Sequence, residues 1–394
     1  MICVKSLQLE LNRILLLSVG LWPYEQSIFV RLQLIFFYGI LLTSITCQLA
    51  TLVTSQYTSQ FIIEIFSVVF FFATFVANYS GFCYHADTVR HMLEIIQRTY
   101  YELKNESEVA IIEKYGTIAK RYTYALTLLS MFGISVFMFL PFWPRILNVV
   151  WSANKSRPYL LLQIKTEYFC NQEKYFYLIL LHTNAVFCMG ETALVATGTI
   201  ILVYIQYICG MFKIASYRMD QALKINTIKI SNMQNENSTY KMMIYAIDMH
   251  RRAMKFIQIY ISKMEMPFFL IIVIGVISSS LNLFRLFQEI SSGFEFRRMI
   301  LPITFLNIFY INVFIANNCA QQIMDYNNHV FATVYNVEWY EAPLAIQKMI
   351  LFMLQISNKP FHVNLGGVFK GSLKSATKLI STSMSYFTVL YSTL

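Results

Sequence analysis

The last helix-length segment, residues 371–394, carries polar side chains that could line a path for ions. At about 100° per residue, one stripe of a helix here would hold Lys374, Lys378, Ser381, Ser385, Thr388 and Ser392. Val389 lies at the edge of this stripe, whereas Leu379 and Phe387 lie on the opposite, apolar side. Ser383 breaks the pattern, and its hydroxyl can bond back to the carbonyl four residues earlier.

This polar stripe has two interpretations. A helix of this length can cross a bilayer, where unpaired polar groups are costly, so the stripe must face other helices or water. If copies of the helix meet around an axis, the stripe lines a pore. Alternatively, the hydroxyls hold the helix against its neighbours, as small residues often do in membranes. Periodicity alone leaves both interpretations open.

No catalytic or metal-binding constellation is visible elsewhere. The six histidines show no ligand spacing with cysteines or carboxylates, and no phosphate-binding glycine loop occurs. Gly366 and Gly367 are better explained as a bend. We therefore predict no enzymatic activity, no cofactor and no metal. Glu191, inside an apolar stretch, is either a functional group or a neutral acid that is hydrogen-bonded within the bundle.

Aromatic residues are abundant, with 33 Phe and 26 Tyr, and several fall in the outer halves of apolar stretches. A cavity of this composition suits a small volatile or lipophilic ligand that is bound by shape and dispersion. The residues that we select as ligand-binding are Phe66, Phe70, Ser135, Phe139, His182, Met189, Phe305 and Phe309. For each of them taken alone, core packing or a lipid-facing position is the alternative.

The composition identifies an integral membrane protein. The 394 residues are 57% hydrophobic and only 13% charged, with a mean hydropathy of +0.51, whereas soluble domains carry about 25% charged residues. The net charge of +10 does not indicate nucleic-acid binding, because the basic residues lie in particular loops between apolar stretches. The seven cysteines are odd in number and mostly lie near these stretches, so a disulfide scaffold is not predicted.

Seven apolar stretches are long enough to span a membrane. They lie at about 29–53, 60–83, 122–143, 175–209, 265–289, 299–319 and 371–393, and the fourth continues as a helix beyond the membrane. With the N-terminus inside, the inner segments hold more than twice as many lysines and arginines as the outer ones. The sequence thus predicts an all-α protein with seven transmembrane helices, a cytoplasmic N-terminus and an extracellular C-terminus. Asn154 then begins a glycosylation sequon in an outer loop.

Four regions follow from this arrangement. Residues 1–28 form an interfacial or re-entrant segment, and 29–335 form six transmembrane helices with cytoplasmic extensions. Residues 336–365 contain a short apolar helix, 345–356, which is too short to span and predicts a cytoplasmic anchor domain that packs on the extensions at 213–263. Residues 366–394 form the seventh transmembrane helix.

The C-terminal part of the chain resembles the insect odorant receptor family. The resemblance rests on Tyr335-Asn336-Val337-Glu338-Trp339-Tyr340, Gln347-Lys348, Lys359-Pro360, Gly366-Gly367 and Ser385-Tyr386-Phe387-Thr388-Val389-Leu390. Weaker similarity extends to Leu21-Trp22-Pro23 and to Cys209-Gly210-Met211-Phe212. The chain lacks the long inner insertion of the shared co-receptor, so it is most similar to a ligand-tuned subunit.

This resemblance implies a tetrameric, ligand-gated, non-selective cation channel formed with the co-receptor in the plasma membrane of olfactory sensory neurons. Sodium, potassium and calcium ions would permeate a pore lined by the last helix. It places pore and gate residues at Ser385, Val389, Ser392 and Thr393, although Thr393 departs from the family's apolar gate. Assembly residues would be Trp339, Tyr340, Met349 and Leu354.

Two other classes of membrane protein remain as alternatives. A seven-transmembrane gustatory-type or G-protein-coupled chemoreceptor is the first, but the third span lacks an Asp-Arg-Tyr and the seventh lacks an Asn-Pro-x-x-Tyr. A transporter is the second, and inverted repeats with paired broken helices, which it would require, are not visible.

Overall fold

A computed structural model describes residues 7–25, 27–54, 58–142, 164–228, 233–293, 296–336, 339–357, 363–367 and 369–393. Ten α-helices lie in these ranges. They are α1 (Glu10–Ser18), α2 (Ile28–Thr54), α3 (Ser59–Tyr84), α4 (Ala86–Glu102), α5 (Glu106–Phe139), α6 (Phe176–Ile228), α7 (Met233–Ser291), α8 (Phe296–Tyr335), α9 (Leu344–Ser357) and α10 (Leu373–Thr393). The sequon at Asn154 lies outside the described residues.

Six of these helices, α2, α3, α5, α6, α7 and α8, are long and apolar enough to cross a membrane. The seventh predicted span, α10, has 21 residues, which is long enough at about 1.5 Å per residue. It is less apolar than the other six because serine and threonine follow one of its sides. Large apolar side chains on the outside of the bundle, such as Phe29 and Phe132, are exposed, as expected of a surface in contact with lipid.

Helix α6 is the centre of the bundle. Its apolar window is 61% buried, more than that of any other long apolar helix of the described part, and it packs against α1, α2, α3, α5, α7 and α8. The helix continues beyond the predicted span to Ile228, as the sequence predicts for residues after Cys209. The large buried side chains of the core include Phe187 and Phe212 on this helix and Phe256 on α7.

Beyond their apolar parts, the long helices extend at one end of the bundle and are joined by ion pairs. Arg218 on α6 forms a bidentate pair with Glu108 at the start of α5, with N–O distances of 2.6 and 2.7 Å. Arg252 on α7 pairs with Glu102 at the end of α4. Bidentate arginine–carboxylate pairs such as that of Arg218 fix geometry as well as adding energy, so these contacts hold α4–α7 together at this end of the bundle.

The first residues pack into the bundle. Helix α1 contacts α5 and α6, and Leu9 and Leu16 are fully buried. The Tyr79 hydroxyl of α3 donates to the carbonyl of Val19 at 2.8 Å. The segment that the sequence predicts to be interfacial or re-entrant is therefore held against the protein by its apolar side.

A short β-hairpin joins α9 to α10, where the sequence predicts only a bend. Strand β1 (Val363–Leu365) pairs antiparallel with β2 (Phe369–Gly371). Gly366 has a φ of +61°, and a Cβ there would overlap the ring of Phe269. Its N–H donates to Glu265 Oε1 of α7 at 3.0 Å. Only glycine combines this left-handed conformation with this close approach.

Candidate functional site

A cavity of about 310 Å³ lies where α5 and α8 flank α6. Its walls are mostly apolar, and a few polar groups point towards it. The residues that define it are Ser130, Gly133 and Val136 on α5, Phe187, Glu191 and Gly198 on α6, and Thr304, Asn307 and Ile308 on α8. A concave, mainly apolar cavity with few polar groups is the usual form of a small-molecule site.

Aromatic packing and glycine give the cavity its shape. Phe187 stacks on Phe137 of α5 with ring centroids 4.0 Å apart, so this wall is rigid. At Gly133 and Gly198, by contrast, a Cβ would meet no atom within 4 Å. The absence of side chains at these two positions therefore leaves room for a ligand between the helices.

Glu191 is the only ionisable residue among the described residues that line the cavity. It is 7% exposed, and it lies about 22 Å along α6 from Phe176, at about 1.5 Å per residue. Its carboxyl interacts with the Ser130 hydroxyl on α5, while its Oε2 has no hydrogen-bond partner in the described part of the chain. The structure thus brings to the cavity the acidic residue that the sequence identifies as conspicuous.

The eight ligand-binding residues predicted from the sequence lie on other faces of the same helices or on α3. Ser135 and Phe139 lie on the exposed side of α5, where Ser135 Oγ donates to the Met131 carbonyl at 2.8 Å. Phe305 is buried and stacks on Phe71 with centroids 3.8 Å apart. Met189 packs against the main core. Their neighbours Val136, Thr304 and Ile308 line the cavity instead.

His182 joins three segments near the start of α6. Its Nδ1 lies 2.6 Å from the Tyr168 hydroxyl, and its Nε2 lies 3.1 Å from Thr43 Oγ1 of α2. Thr43 donates its own hydrogen to the Gly39 carbonyl, so it accepts from Nε2 and leaves Nδ1 to accept from Tyr168. Burial raises the pKa of Tyr168 to about 12, so this hydroxyl keeps its proton at neutral pH.

The remaining three predicted ligand residues contact α10 or its cluster rather than the cavity. Phe66 and Phe70 of α3 pack with Phe387 and Leu390 of α10. Phe309 of α8 packs into a second cluster with Ala376 and Leu379 of α10, Val276 of α7 and Val313 of α8. A Cβ on Gly275 of α7 would overlap the Phe309 ring. Phe309 therefore connects α8, a helix of the cavity, to α10, whereas Phe66 and Phe70 connect α3 to α10.

Helix α10 turns its apolar side towards the bundle. Leu379 and Ser383 are buried against α7 and α8, and Ser383 Oγ bonds back to the Leu379 carbonyl at 3.1 Å, as predicted. Ser385, Val389, Ser392 and Thr393 are exposed. The hydroxyl of Ser385 donates to the Ser381 carbonyl, and those of Ser392 and Thr393 donate to the Val389 carbonyl, at 2.9–3.0 Å. The predicted pore stripe is thus not covered by the described part of this chain.

The predicted assembly residues divide into two groups. Trp339 and Tyr340 are exposed, whereas Met349 and Leu354 of α9 pack against the core of the same chain. Helix α9 packs on α8 and α7. The partners predicted from the sequence are the extensions at 213–263, which lie on α6 and α7. Helix α8 is a partner as well because it continues to Tyr335, beyond the end of the sixth apolar stretch at residue 319.

Comparison with known proteins identifies the architecture. The family described as "7tm Odorant receptor" matches residues 58–384. A relative described as putative odorant receptor 85d of Drosophila melanogaster is 23% identical over 114 residues, which cover 29% of this chain and 28% of that protein.

Solved structures match over the whole chain. The insect olfactory receptor OR5 from Machilis hrabei in complex with eugenol superposes with a TM-score of 0.77 at 14% identity, covering 99% of this chain and 98% of that one. The same receptor in another structure, whose description names no ligand, gives a TM-score of 0.77 at 14% identity, with 97% of each chain covered. At this identity the superpositions establish the fold.

Proposed function

Because the chain belongs to the insect odorant receptor family, a family of multi-pass membrane proteins that are not enzymes, we propose that it is a ligand-tuned subunit of a ligand-gated, non-selective cation channel. A small volatile ligand would bind in the cavity between α5, α6 and α8 and open a central pore lined by α10. The observation that carries this proposal is the orientation of α10, whose apolar side packs on the bundle while its hydroxyl stripe is exposed.

The pore would form where four α10 helices meet, one from each of four subunits that include the co-receptor. The stripe hydroxyls bond to carbonyls of their own helix, so they need no partner from another helix and can face water. Val389 is 58% exposed and offers an apolar ring at which the closed pore would lose its water. Thr393 would not add a second apolar ring to this gate, because its hydroxyl is polar and holds water.

The effect of ligand binding would be transmitted to the pore through α8. One side of this helix offers Thr304 and Ile308 to the cavity, and another packs Phe309 and Val313 against α10. A ligand that fits the cavity better when α8 moves outward would therefore shift the equilibrium towards separated α10 helices. The cluster of Phe66 and Phe70 with α10 supplies a second contact that has to rearrange.

The ligand would be small and largely apolar. The cavity volume of about 310 Å³ lies at the lower end of the range of about 300–1,000 Å³ typical of small-molecule sites. Eugenol, bound by the Machilis hrabei receptor, is an aromatic molecule of suitable size for such a space.

The membrane arrangement that we propose keeps the N-terminus and the anchor helix α9 in the cytoplasm and the C-terminus outside. Exposed Trp339 and Tyr340, together with the exposed apolar Leu351 and Phe352 of α9, would form contacts between subunits on the inner side. Met349 and Leu354 would stabilise the anchor within each subunit. The assembled channel would lie in the plasma membrane of olfactory sensory neurons.

Expression with and without the family co-receptor tests the proposal. We expect a panel of volatile compounds to evoke cation currents when both chains are present, and epitope tags to place the N-terminus inside and the C-terminus outside. A surface-expressed chain that evokes no current with any compound would refute the channel assignment. Tags on the reverse sides would favour a G-protein-coupled receptor.

A further inference from the structure

The Glu191 carboxyl is an unsatisfied acceptor in an apolar cavity. The residue is 7% exposed and its Oε2 has no hydrogen-bond partner among the described residues. An orphaned polar atom at membrane depth costs free energy. Oε2 itself is buried, so the carboxyl group has to turn before a ligand in the cavity can supply an N–H or O–H donor to this oxygen and recover that cost.

The other polar groups of the cavity narrow the class of ligand. None of the described residues that line it is lysine, arginine or histidine, so a carboxylate ligand would meet a like charge without a compensating cation. On the α8 side, the Asn312 Nδ2 donates to the Ile308 carbonyl at 2.8 Å, which leaves its Oδ1 to accept. Among its described residues the cavity thus offers acceptors on Glu191 and Asn312 and no cation that could balance the charge of an anionic ligand.

We infer that this cavity is specific for small lipophilic amines, whose nitrogen donates a hydrogen bond to the Glu191 carboxyl. The inference deepens the proposed function and rests on it. The protonated amine and the ionised carboxyl form a charge-assisted hydrogen bond in which the proton stays on nitrogen. The unsatisfied oxygen gains a partner, and the hydrocarbon part of the ligand fills the apolar remainder of the cavity.

An alcohol of the same shape is the informative compound for comparison. Its hydroxyl can donate one hydrogen bond to Glu191, but charge-assisted hydrogen bonds are roughly twice as strong as neutral ones. Toluene offers no donor and leaves Oε2 unsatisfied. The expected order of potency is therefore benzylamine, then benzyl alcohol, then toluene, because these three molecules differ in a single group.

The experiment records concentration–response curves for these three compounds from the full-length chain expressed with its co-receptor. Glu191→Gln keeps the shape of the side chain and removes its charge. We expect it to raise the half-maximal concentration of benzylamine about ten-fold or more, as loss of a hydrogen bond to a charged group predicts, and that of toluene less than about two-fold. The matched control is Glu173→Gln, the same change at an exposed position before α6, which should leave all three curves unchanged.

A second variant keeps the test decisive if Glu191→Gln does not reach the surface. Glu191→Asp retains the carboxyl and should retain the preference for benzylamine over benzyl alcohol, by a smaller margin. Equal potency of amine and alcohol in the unaltered receptor would overturn this inference and leave the proposed channel function intact. An equal loss for all three compounds in Glu191→Gln would also overturn it. Absence of current with these three compounds, despite surface labelling, would overturn the inference, and absence of current with the whole panel of volatile compounds would overturn the proposed channel function as well.

Discussion

Filling the cavity from Gly198 should weaken ligand binding in proportion to ligand size. Gly198 lines the cavity, and a Cβ at this position would meet no atom within 4 Å. Gly198→Leu therefore places a four-carbon side chain into space that the ligand would otherwise use. The substitution should not disturb folding, since leucine also has a higher helix propensity than glycine by about 1 kcal/mol.

The magnitude follows from the ligand atoms that are displaced. Four side-chain carbons exclude about four ligand atoms, each worth between about 0.3 and 1.5 kcal/mol of binding free energy. The loss is then about 1–6 kcal/mol, and even its lower limit raises the half-maximal concentration roughly five-fold or more. Compounds that leave the cavity partly empty should lose less than those that fill it.

Concentration–response curves for a homologous series of compounds measure this effect. The control is Gly39→Leu on α2, where a Cβ also meets nothing within 4 Å and no wall of the cavity is touched. We expect Gly39→Leu to leave the series unchanged. If Gly198→Leu reaches the surface and leaves every curve in place, ligands do not bind in this cavity, and the reasoning fails.

Three further substitutions test the path from the cavity to the pore. Val389→Ala should change current amplitude or ion selectivity without altering the rank order of ligands, and an altered rank order would contradict a gate at this position. Gly275→Ala forces the Phe309 ring to move and should shift the half-maximal concentration of all ligands by a common factor, which curves for two unrelated ligands can check. Ser385→Cys should be modified by an extracellular thiol reagent while Leu379→Cys is spared, and the reverse pattern would exclude α10 from the pore.

The sequence predicts the membrane-crossing elements well because their physical cause is local. Six apolar stretches correspond to long helices, and the extension of α6 beyond Cys209 is present. The polarity of α10 is also strong enough to indicate which side faces the bundle, since Leu379 is buried and Ser385 is exposed. Periodicity is informative here because polar and apolar residues alternate around the helix.

The rotation of the other helices could not be predicted in the same way. The most apolar parts of α5, α6 and α8 carry apolar residues on every side. A face towards the core and a face towards lipid therefore have similar compositions. This is why the sequence selects Ser135 and Phe305 while the structure places their neighbours Val136 and Thr304 on the cavity wall.

Two features of the sequence could have found the cavity. Glu191 and Gly198 are seven residues apart, which places them on one face of a helix, and neither fills space with apolar atoms. A carboxyl and a glycine on the same face of a buried helix indicate a polar, incompletely filled region. The selection by aromatic content instead included Phe66, Phe70 and Phe309, which pack with residues of α10.

The hairpin between α9 and α10 determines how the last helix can move. The Gly366 N–H is held by Glu265 and the Ser372 N–H by Asn317, at 3.0 and 3.1 Å. With its base fixed in this way, α10 acts as a lever whose fulcrum is its first turn, at Leu373. Val389 lies about 24 Å along the helix from this fulcrum at about 1.5 Å per residue, so a tilt of about 10° carries it sideways by roughly 4 Å.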